Sequence, residues 1–293
     1  METFENVSCS LCGSSTSIPF SAGSIHLNIV TPLSVSRCAQ CGLLFMNPRP
    51  SLASRELIFA GGKPIGLEPY LQSHARYGSV TQSRLPFFRE RVKMLKRLKP
   101  GSNISVLDIG ASSGEFLTAS IEMGWKASGI EPSTAGVEAA QSKGLNVVQS
   151  TAERLPFADE QFDIIHSNHV FEHLADPQLA ANEAFRVLKK GGLILIEVPN
   201  QFDNIQFFRD RVFNRIAVRE RNIRSIHHLY FFSRRTLAKL LVNAGFENVQ
   251  ISDRYGRNRS GFAKLGSLLT RLAGKLYLGG PIIQGFGRKP GNS

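Results

Sequence analysis

No run of about 18 apolar residues occurs anywhere in the 293-residue chain, which excludes an obvious membrane-crossing helix. The first residues, Met1-Glu2-Thr3-Phe4-Glu5, have neither the basic start nor the apolar stretch of a secretory signal. Cysteine is scarce: there are four, and all of them precede residue 42. Without a secretion signal such thiols should stay reduced, so metal binding rather than disulfide pairing is expected of them. Internal repeats are absent too. With 42% hydrophobic and 20% charged residues, the chain is too rich in core-forming side chains to be fibrous or wholly disordered. The expectation is a soluble, cytoplasmic globular protein of one large domain or two smaller ones.

Acidic residues are missing from one end. Residues 254–293 carry eight Lys and Arg and no Asp or Glu, and so supply most of the formal net charge of +12. Such a segment suits a polyanion (nucleic acid, an anionic membrane surface or a phosphorylated carrier) or is simply a solvated surface. Residues 263–276 alternate apolar and basic faces, as a helix lying on the inner membrane surface would, or as one packed beside the sheet would.

Composition divides the chain into a Ser-, Cys- and Gly-rich segment over 1–50, a helical connector over 51–100, a core over 101–256 and a basic segment over 257–293. From residue 105 onward, short apolar runs alternate with amphipathic stretches, the pattern of an α/β sheet. Strands are predicted over 104–109, 125–130, 146–149, 162–167, 193–198, 248–252 and 281–287. Helices are predicted over 84–99, from the turn after 109 to about 123, and over 133–143, 177–187, 233–243 and 262–277. Gly245 should end the fifth of these as a C′ glycine.

The first strand of this core leads through Asp108 into Gly110-Ala111-Ser112-Ser113-Gly114. Gly110 lets the chain turn tightly beside a ligand, and Gly114 lets a helix begin close to the strand with its free N–H groups facing the crevice. Glu131 ends the second strand 23 residues after Asp108, a spacing at which an acid can accept both hydroxyls of a ribose. Ala152-Glu153 follows the third strand, and the fourth leads into Ser167-Asn168-His169-Val170-Phe171-Glu172-His173-Leu174.

This ordered set resembles class I S-adenosylmethionine-dependent methyltransferases, in particular those whose fourth strand runs into a His-Val-x-Glu-His-Leu segment. Leu188-Lys189-Lys190-Gly191-Gly192-Leu193, His228-Leu229-Tyr230-Phe231-Phe232-Ser233 and Ala244-Gly245-Phe246 continue the likeness, which covers nearly half the chain. The resemblance implies a Rossmann-like, mostly parallel seven-stranded sheet with helices on both faces. It also implies S-adenosylmethionine, with Asp108, Gly110, Ser112 and Gly114 at the methionine end and Glu131 and Pro132 at the ribose. Ala152 and Glu153 would flank the adenine, and Asn168 and His169 the sulfonium. Ser112 stands where the family often has glycine. A nicotinamide cofactor is disfavoured, because the turn lacks the Gly-x-Gly-x-x-Gly spacing that receives a pyrophosphate.

Cys9-x-x-Cys12 and Cys38-x-x-Cys41, with 25 residues between the pairs, have the spacing of two knuckles completing a four-thiolate zinc site. Such a site is closed to substrate and therefore structural. The following segment, Leu43 to Pro50, resembles the exit of the zinc ribbon fused to many glycan-pathway methyltransferases, which would make residues 1–50 a small N-terminal ribbon that covers the site or only adds stability.

Methyl transfer is an in-line displacement, and a hydroxyl acceptor also needs a base. His169, Glu172, His173, His227 and His228 are the candidates, with His228 expected first and His169 second, and Glu172 and His173 behind them. The Asn/Asp-Pro-Pro-Tyr/Phe segment that accompanies amino methylation of nucleic-acid bases is missing after the fourth strand, and the core has no cysteine for adduct chemistry at a pyrimidine carbon. A sugar, glycan or other small-molecule acceptor, phosphorylated or lipid-linked, is therefore expected, with arginines between 209 and 224 gripping its phosphates. Nucleic acid is the weaker expectation: an RNA methyltransferase would use the ribbon and the basic segment as backbone binders, but the aromatics there are too widely spaced for a stacking platform. A catalytically degenerate partner protein is the third reading, and the intact Gly110, Gly114 and Glu131 speak against it.

Overall fold

The computed structural model describes residues 4–20, 34–59, 84–200, 228–254 and 282–291. The expected arginine grip at 209–224, His227 and the helix over 262–277 lie outside these residues.

The chain opens with short strands β1 (Phe4–Glu5), β2 (Ser17–Pro19), β3 (Val35–Cys38), β4 (Leu44–Met46) and β5 (Arg49–Pro50), followed by helix α1 (Leu52–Phe59). Helix α2 (Leu85–Leu98) carries proline in its first turn and turns Phe88, Val92 and Leu95 inward. Strand β6 (Ser105–Ile109), helix α3 (Glu115–Glu122), strand β7 (Lys126–Glu131), helix α4 (Thr134–Gln141) and strand β8 (Val147–Gln149) then alternate. Strand β9 (Phe162–Asn168), helix α5 (Pro177–Val187) and strand β10 (Leu188–Pro199) follow. Beyond them come β11 (Tyr230–Phe231), α6 (Arg234–Asn243), β12 (Glu247–Arg254) and β13 (Ile282–Arg288).

Sequence chemistry sets the helix ends. Asp176 accepts from the amides of Gln178 and Leu179 ahead of α5, whose first residue is Pro177. Ser233 and Thr236 form a reciprocal capping box at α6, and Gly245 follows its C-terminus at φ +96°. One strand differs from expectation: β10 begins at Leu188 rather than 193. Gly191-Gly192 interrupts its apolar run, and the register against β9 shifts between Leu188 and Leu193. A Gly pair reads as a break in sequence, yet here it is an irregularity inside one strand.

Seven strands form one sheet in the order β12-β13-β10-β9-β6-β7-β8. The five from β8 to β10 run parallel, while β13 inserts antiparallel between β10 and β12. Apolar side chains gather on both faces. One cluster joins Phe88, Leu95, Phe116 and Val137 of α2, α3 and α4, and the other joins Ala184 and Leu240 of α5 and α6. This is the expected Rossmann-like sheet covered on both sides.

A second sheet of four strands runs β11-β4-β3-β2, its edge strand coming from beyond β10. Tyr230 and Phe231 pair antiparallel with Phe45 and Leu44. The N-terminal sheet thus shares backbone hydrogen bonds with the segment leading into α6, and Cys9, Leu43, Phe45, Tyr230 and Phe232 lie in one apolar cluster with Leu237 and Leu240. Buried Arg49 adds a polar tie: it donates to Glu5 Oε1 (2.8 Å), the Ala175 carbonyl (2.8 Å) and the Tyr230 hydroxyl (3.0 Å).

Three of the basic residues counted toward the C-terminal excess are engaged by the fold. Arg254 pairs with Glu197 at 2.8 Å and lies 4.0 Å over the Phe87 ring; Arg288 donates to the Leu98 carbonyl; and Lys289 donates to the Phe185 carbonyl. Among the described residues, no helix is long and apolar enough to cross a membrane.

Candidate active site

The chain winds outward from β6 to β7 and β8, then returns to lay β9 on the other side of β6. At such a reversal the loops leave in opposite directions and open a crevice at the carboxyl ends of the strands. Most of the expected cofactor residues meet there. Gly110 turns at φ +78°, Ser112 lies exposed at φ +48°, and Gly114 caps α3 at φ +87°. A Cβ on Gly114 would stand 2.2 Å from Leu145 Cδ1, so glycine is needed there for close packing as well as for its backbone.

Glu131 closes β7 beside this turn. Its carboxylate accepts from the Ser112 amide (3.0 Å), the Ser133 amide (3.2 Å) and the Ser133 hydroxyl (2.7 Å). The acid therefore also holds the glycine turn in shape. The Pro132 carbonyl accepts from Gln149 Nε2 at 3.1 Å, which ties the β7 exit to β8. Ala152 is buried at the expected place after β8. Glu153, next in the chain, braces a neighbouring loop. Its Oε1 accepts from the amides of Ala175 (2.8 Å) and Asp176 (3.3 Å), steadying the entry to α5.

Asp108 lies beneath the turn, buried and bonded at 2.7 Å to Nδ1 of His166, whose ring stacks on Phe116 at 3.8 Å. Burial pushes Asp108 up and His166 down, the direction of a pair held in its uncharged form. His166 was not foreseen as a partner, although a histidine after Ile164-Ile165 in a buried strand is itself a signal.

At the end of β9, Asn168 donates its amide to Glu197 (2.9 Å) and accepts from Arg84 (2.8 Å). His169, in the left-handed region at φ +58°, keeps about a third of its side chain exposed (34%). Its Nδ1 is 3.2 Å from Glu172 Oε1, and its Nε2 is 3.9 Å from Glu197. Burial works against its charge, but the hydrogen bond to Glu172 and the charges of Glu172 and Glu197 outweigh it and raise its pKa.

Glu197, on β10, was missed, though a carboxylate inside the run Leu193–Val198 could have flagged it. It is fully buried and paired with Arg91 and Arg254, and it accepts from Gln284 at 2.6 Å. Burial disfavours its charge, but the two guanidinium groups prevail and lower its pKa.

The remaining candidates sit together on the ribbon side. Glu172 is buried; its carbonyl accepts from the amides of Leu229 and Tyr230, anchoring the start of β11. His173 Nε2 is 3.8 Å from Glu172 Oε1, and the His173 and His228 rings meet edge to face at 4.7 Å. Burial, with the charge of His173 beside it, lowers His228 to about 4.

In the N-terminal sheet the four cysteine sulfurs lie within 4.8 Å of one another. The cross-knuckle pairs Cys9–Cys41 and Cys12–Cys38 stand at 3.5 Å, and the Cys41 amide points at Cys38 Sγ. Four thiolates around a zinc at about 2.3 Å have edges of about 3.8 Å, so the donor set and its spacing fit that ion.

This sheet order, the glycine turn and the acid closing the second strand define the fold of class I S-adenosylmethionine-dependent methyltransferases. A methyltransferase-domain family matches residues 81–251, more than half of the chain, and the chain belongs to that family. An uncharacterized methyltransferase of Mycolicibacterium gilvum is 36% identical over 98 residues, covering 32% of this chain and 38% of the relative. The uncharacterized methyltransferase YcgJ of Bacillus subtilis is 36% identical over 110 residues, covering 35% of this chain and 44% of the relative. The chain thus spans less than half the length of these relatives. Among solved structures, a SAM-dependent methyltransferase of Thermotoga maritima aligns with a TM-score of 0.52 at 23% identity, covering 76% of this chain and 98% of that one, a likeness of fold.

Proposed function

We propose that the protein uses S-adenosylmethionine to methylate a hydroxyl, carboxyl or activated carbon of a small molecule or glycan. The observation that carries this reading is the convergence, at the reversal between β6 and β9, of the Gly110–Gly114 turn, the Glu131 carboxylate and His169. When bound, the cofactor supplies a methyl group already activated by its sulfonium. Glu131 is suited to the ribose hydroxyls, the turn and the start of α3 to the methionine end, and Ala152 to the adenine. Glu153 contributes by fixing the Ala175–Asp176 loop.

For a hydroxyl acceptor, His169 is favoured ahead of His228. Its ring is partly open, and Glu172 fixes the tautomer by engaging Nδ1, the arrangement of a general base oriented by a carboxylate. His228 is half-buried, with its ring edge to face against that of His173. Zinc bound by Cys9, Cys12, Cys38 and Cys41 would be structural and would hold the sheet that β11 completes.

Titration calorimetry of the zinc-loaded chain with S-adenosylmethionine, followed by labelled-methyl transfer to sugars, nucleotide-sugars and lipid-linked glycans, tests this reading. Micromolar cofactor binding and methyl incorporation lost in His169→Ala are expected. A folded, zinc-loaded protein that does not bind the cofactor overturns it.

A further inference from the structure

We infer that Glu172, His173 and His228 form a second metal site, separate from the four cysteines, that takes a divalent first-row transition cation. Two imidazoles and a carboxylate bring their ligand atoms within 4.8 Å of one another in the space between β9 and β11. Glu172 carries the argument furthest. It is about 1% exposed, and while Oε1 engages His169, Oε2 is buried without a hydrogen-bond partner among the described residues. An ionised oxygen left so is strongly disfavoured unless a cation or donor meets it.

The placement is rigid. The Glu172 carbonyl accepts from the amides of both Leu229 and Tyr230, so the backbones that carry Glu172 and His228 are joined directly. Tyr230 is in turn held by its pairing with Phe45. Donors bonded to one cation at about 2.1 Å stand roughly 3–3.5 Å apart, so seating an ion requires only small rotamer adjustments. Two nitrogens and one oxygen favour a borderline first-row ion over magnesium or calcium, and they do not offer the thiolates that zinc finds at the other site. Three protein ligands leave coordination positions open, as in catalytic rather than structural centres. An acceptor oxygen held at such a position would lie beside His169. That last step rests on the methyl-transfer reading; the ion site does not.

Cobalt(II) titrated into the zinc-loaded full chain tests the site. The expected result is one cobalt per chain, with weak visible ligand-field bands and no thiolate charge-transfer absorption. His173→Gln and His228→Gln should each weaken cobalt binding by at least about tenfold, with zinc content unchanged. Wild-type protein gives an independent reading: proton spectra of the cobalt form should show two strongly shifted imidazole N–H signals. Absence of cobalt binding, cobalt seen only through thiolate absorption, or a spectrum without those shifted signals overturns the site. S-adenosylmethionine calorimetry on the same samples keeps the two readings apart, since cobalt binding without cofactor binding leaves the site standing and removes the proposed function.

Discussion

Replacing Glu131 by glutamine keeps the side chain's length while removing its charge and one acceptor. The carboxylate now meets three donors of the protein: the Ser112 amide at 3.0 Å, the Ser133 amide at 3.2 Å and the Ser133 hydroxyl at 2.7 Å. Glutamine has one acceptor oxygen, and its NH₂ must face one of these groups. The hydroxyl can rotate to accept, but the two backbone N–H groups cannot. Turning the oxygen toward Ser112 sets the NH₂ against the Ser133 amide, and the reverse loosens the glycine turn. Hydrogen bonds to a charged acceptor contribute about 1.5–3 kcal/mol and those to a neutral one about 0.5–1.5 kcal/mol. For the two hydroxyls of a ribose the expected loss is therefore about 2–3 kcal/mol, or roughly 30- to 150-fold in Kd. Calorimetry with S-adenosylhomocysteine measures this, and urea unfolding checks that the variant remains folded. A folded Glu131→Gln protein whose Kd stays within about threefold of the wild type refutes the assignment of Glu131 to the ribose.

Cys38→Ser removes one of four thiolates and should raise the zinc Kd by at least about a hundredfold, read as zinc lost to a competing chelator. Arg49→Met breaks the tie to Glu5, Ala175 and Tyr230 and should cost about 2–4 kcal/mol in urea unfolding; a loss below about 0.5 kcal/mol would show that the tie contributes nothing. Asp163 accepts from the Ser105 amide and hydroxyl and from Lys189; burial opposes its charge, but these donors hold its pKa below the usual aspartate range. Its contribution is therefore present above about pH 4 and lost as pH falls through the depressed value, so Asp163→Asn should destabilise by about 1–2 kcal/mol at pH 7, with the gap closing toward pH 3. A gap that does not change with pH would remove the charge from that account.

The parallel strands were legible because each is a short apolar run that ends in a chemically distinct residue. Asp108 and Ile109 precede the turn, Glu131 ends β7 and Asn168 ends β9. Cysteine spacing was legible for the same local reason. Long-range pairing was not. Tyr230-Phe231 read only as part of a family-like segment, and nothing nearby in sequence announces Leu44-Phe45 as its partner. Arg254 read as surplus charge near the end of the chain, whereas it folds back onto Glu197 and Phe87. Glu153 shows the other limit: its position after β8 follows from the strand order, but the amides of Ala175 and Asp176 that engage it come from a loop whose path is set only by the packed fold.

The borrowed strand also imposes an order of assembly. Both cysteine knuckles and the first three strands of the small sheet are synthesised within the first 50 residues, yet the edge that completes it arrives only with Tyr230 and Phe231. Until then the outer edge of β4 has no partner, and Phe45, fully enclosed in the finished protein, lacks the Tyr230 ring it stacks against. Zinc can gather the knuckles early, but closure waits for the parallel strands to be laid down, a contact across most of the chain and so a late one. A fragment ending near residue 50 should therefore bind zinc and still aggregate through its open β4 edge.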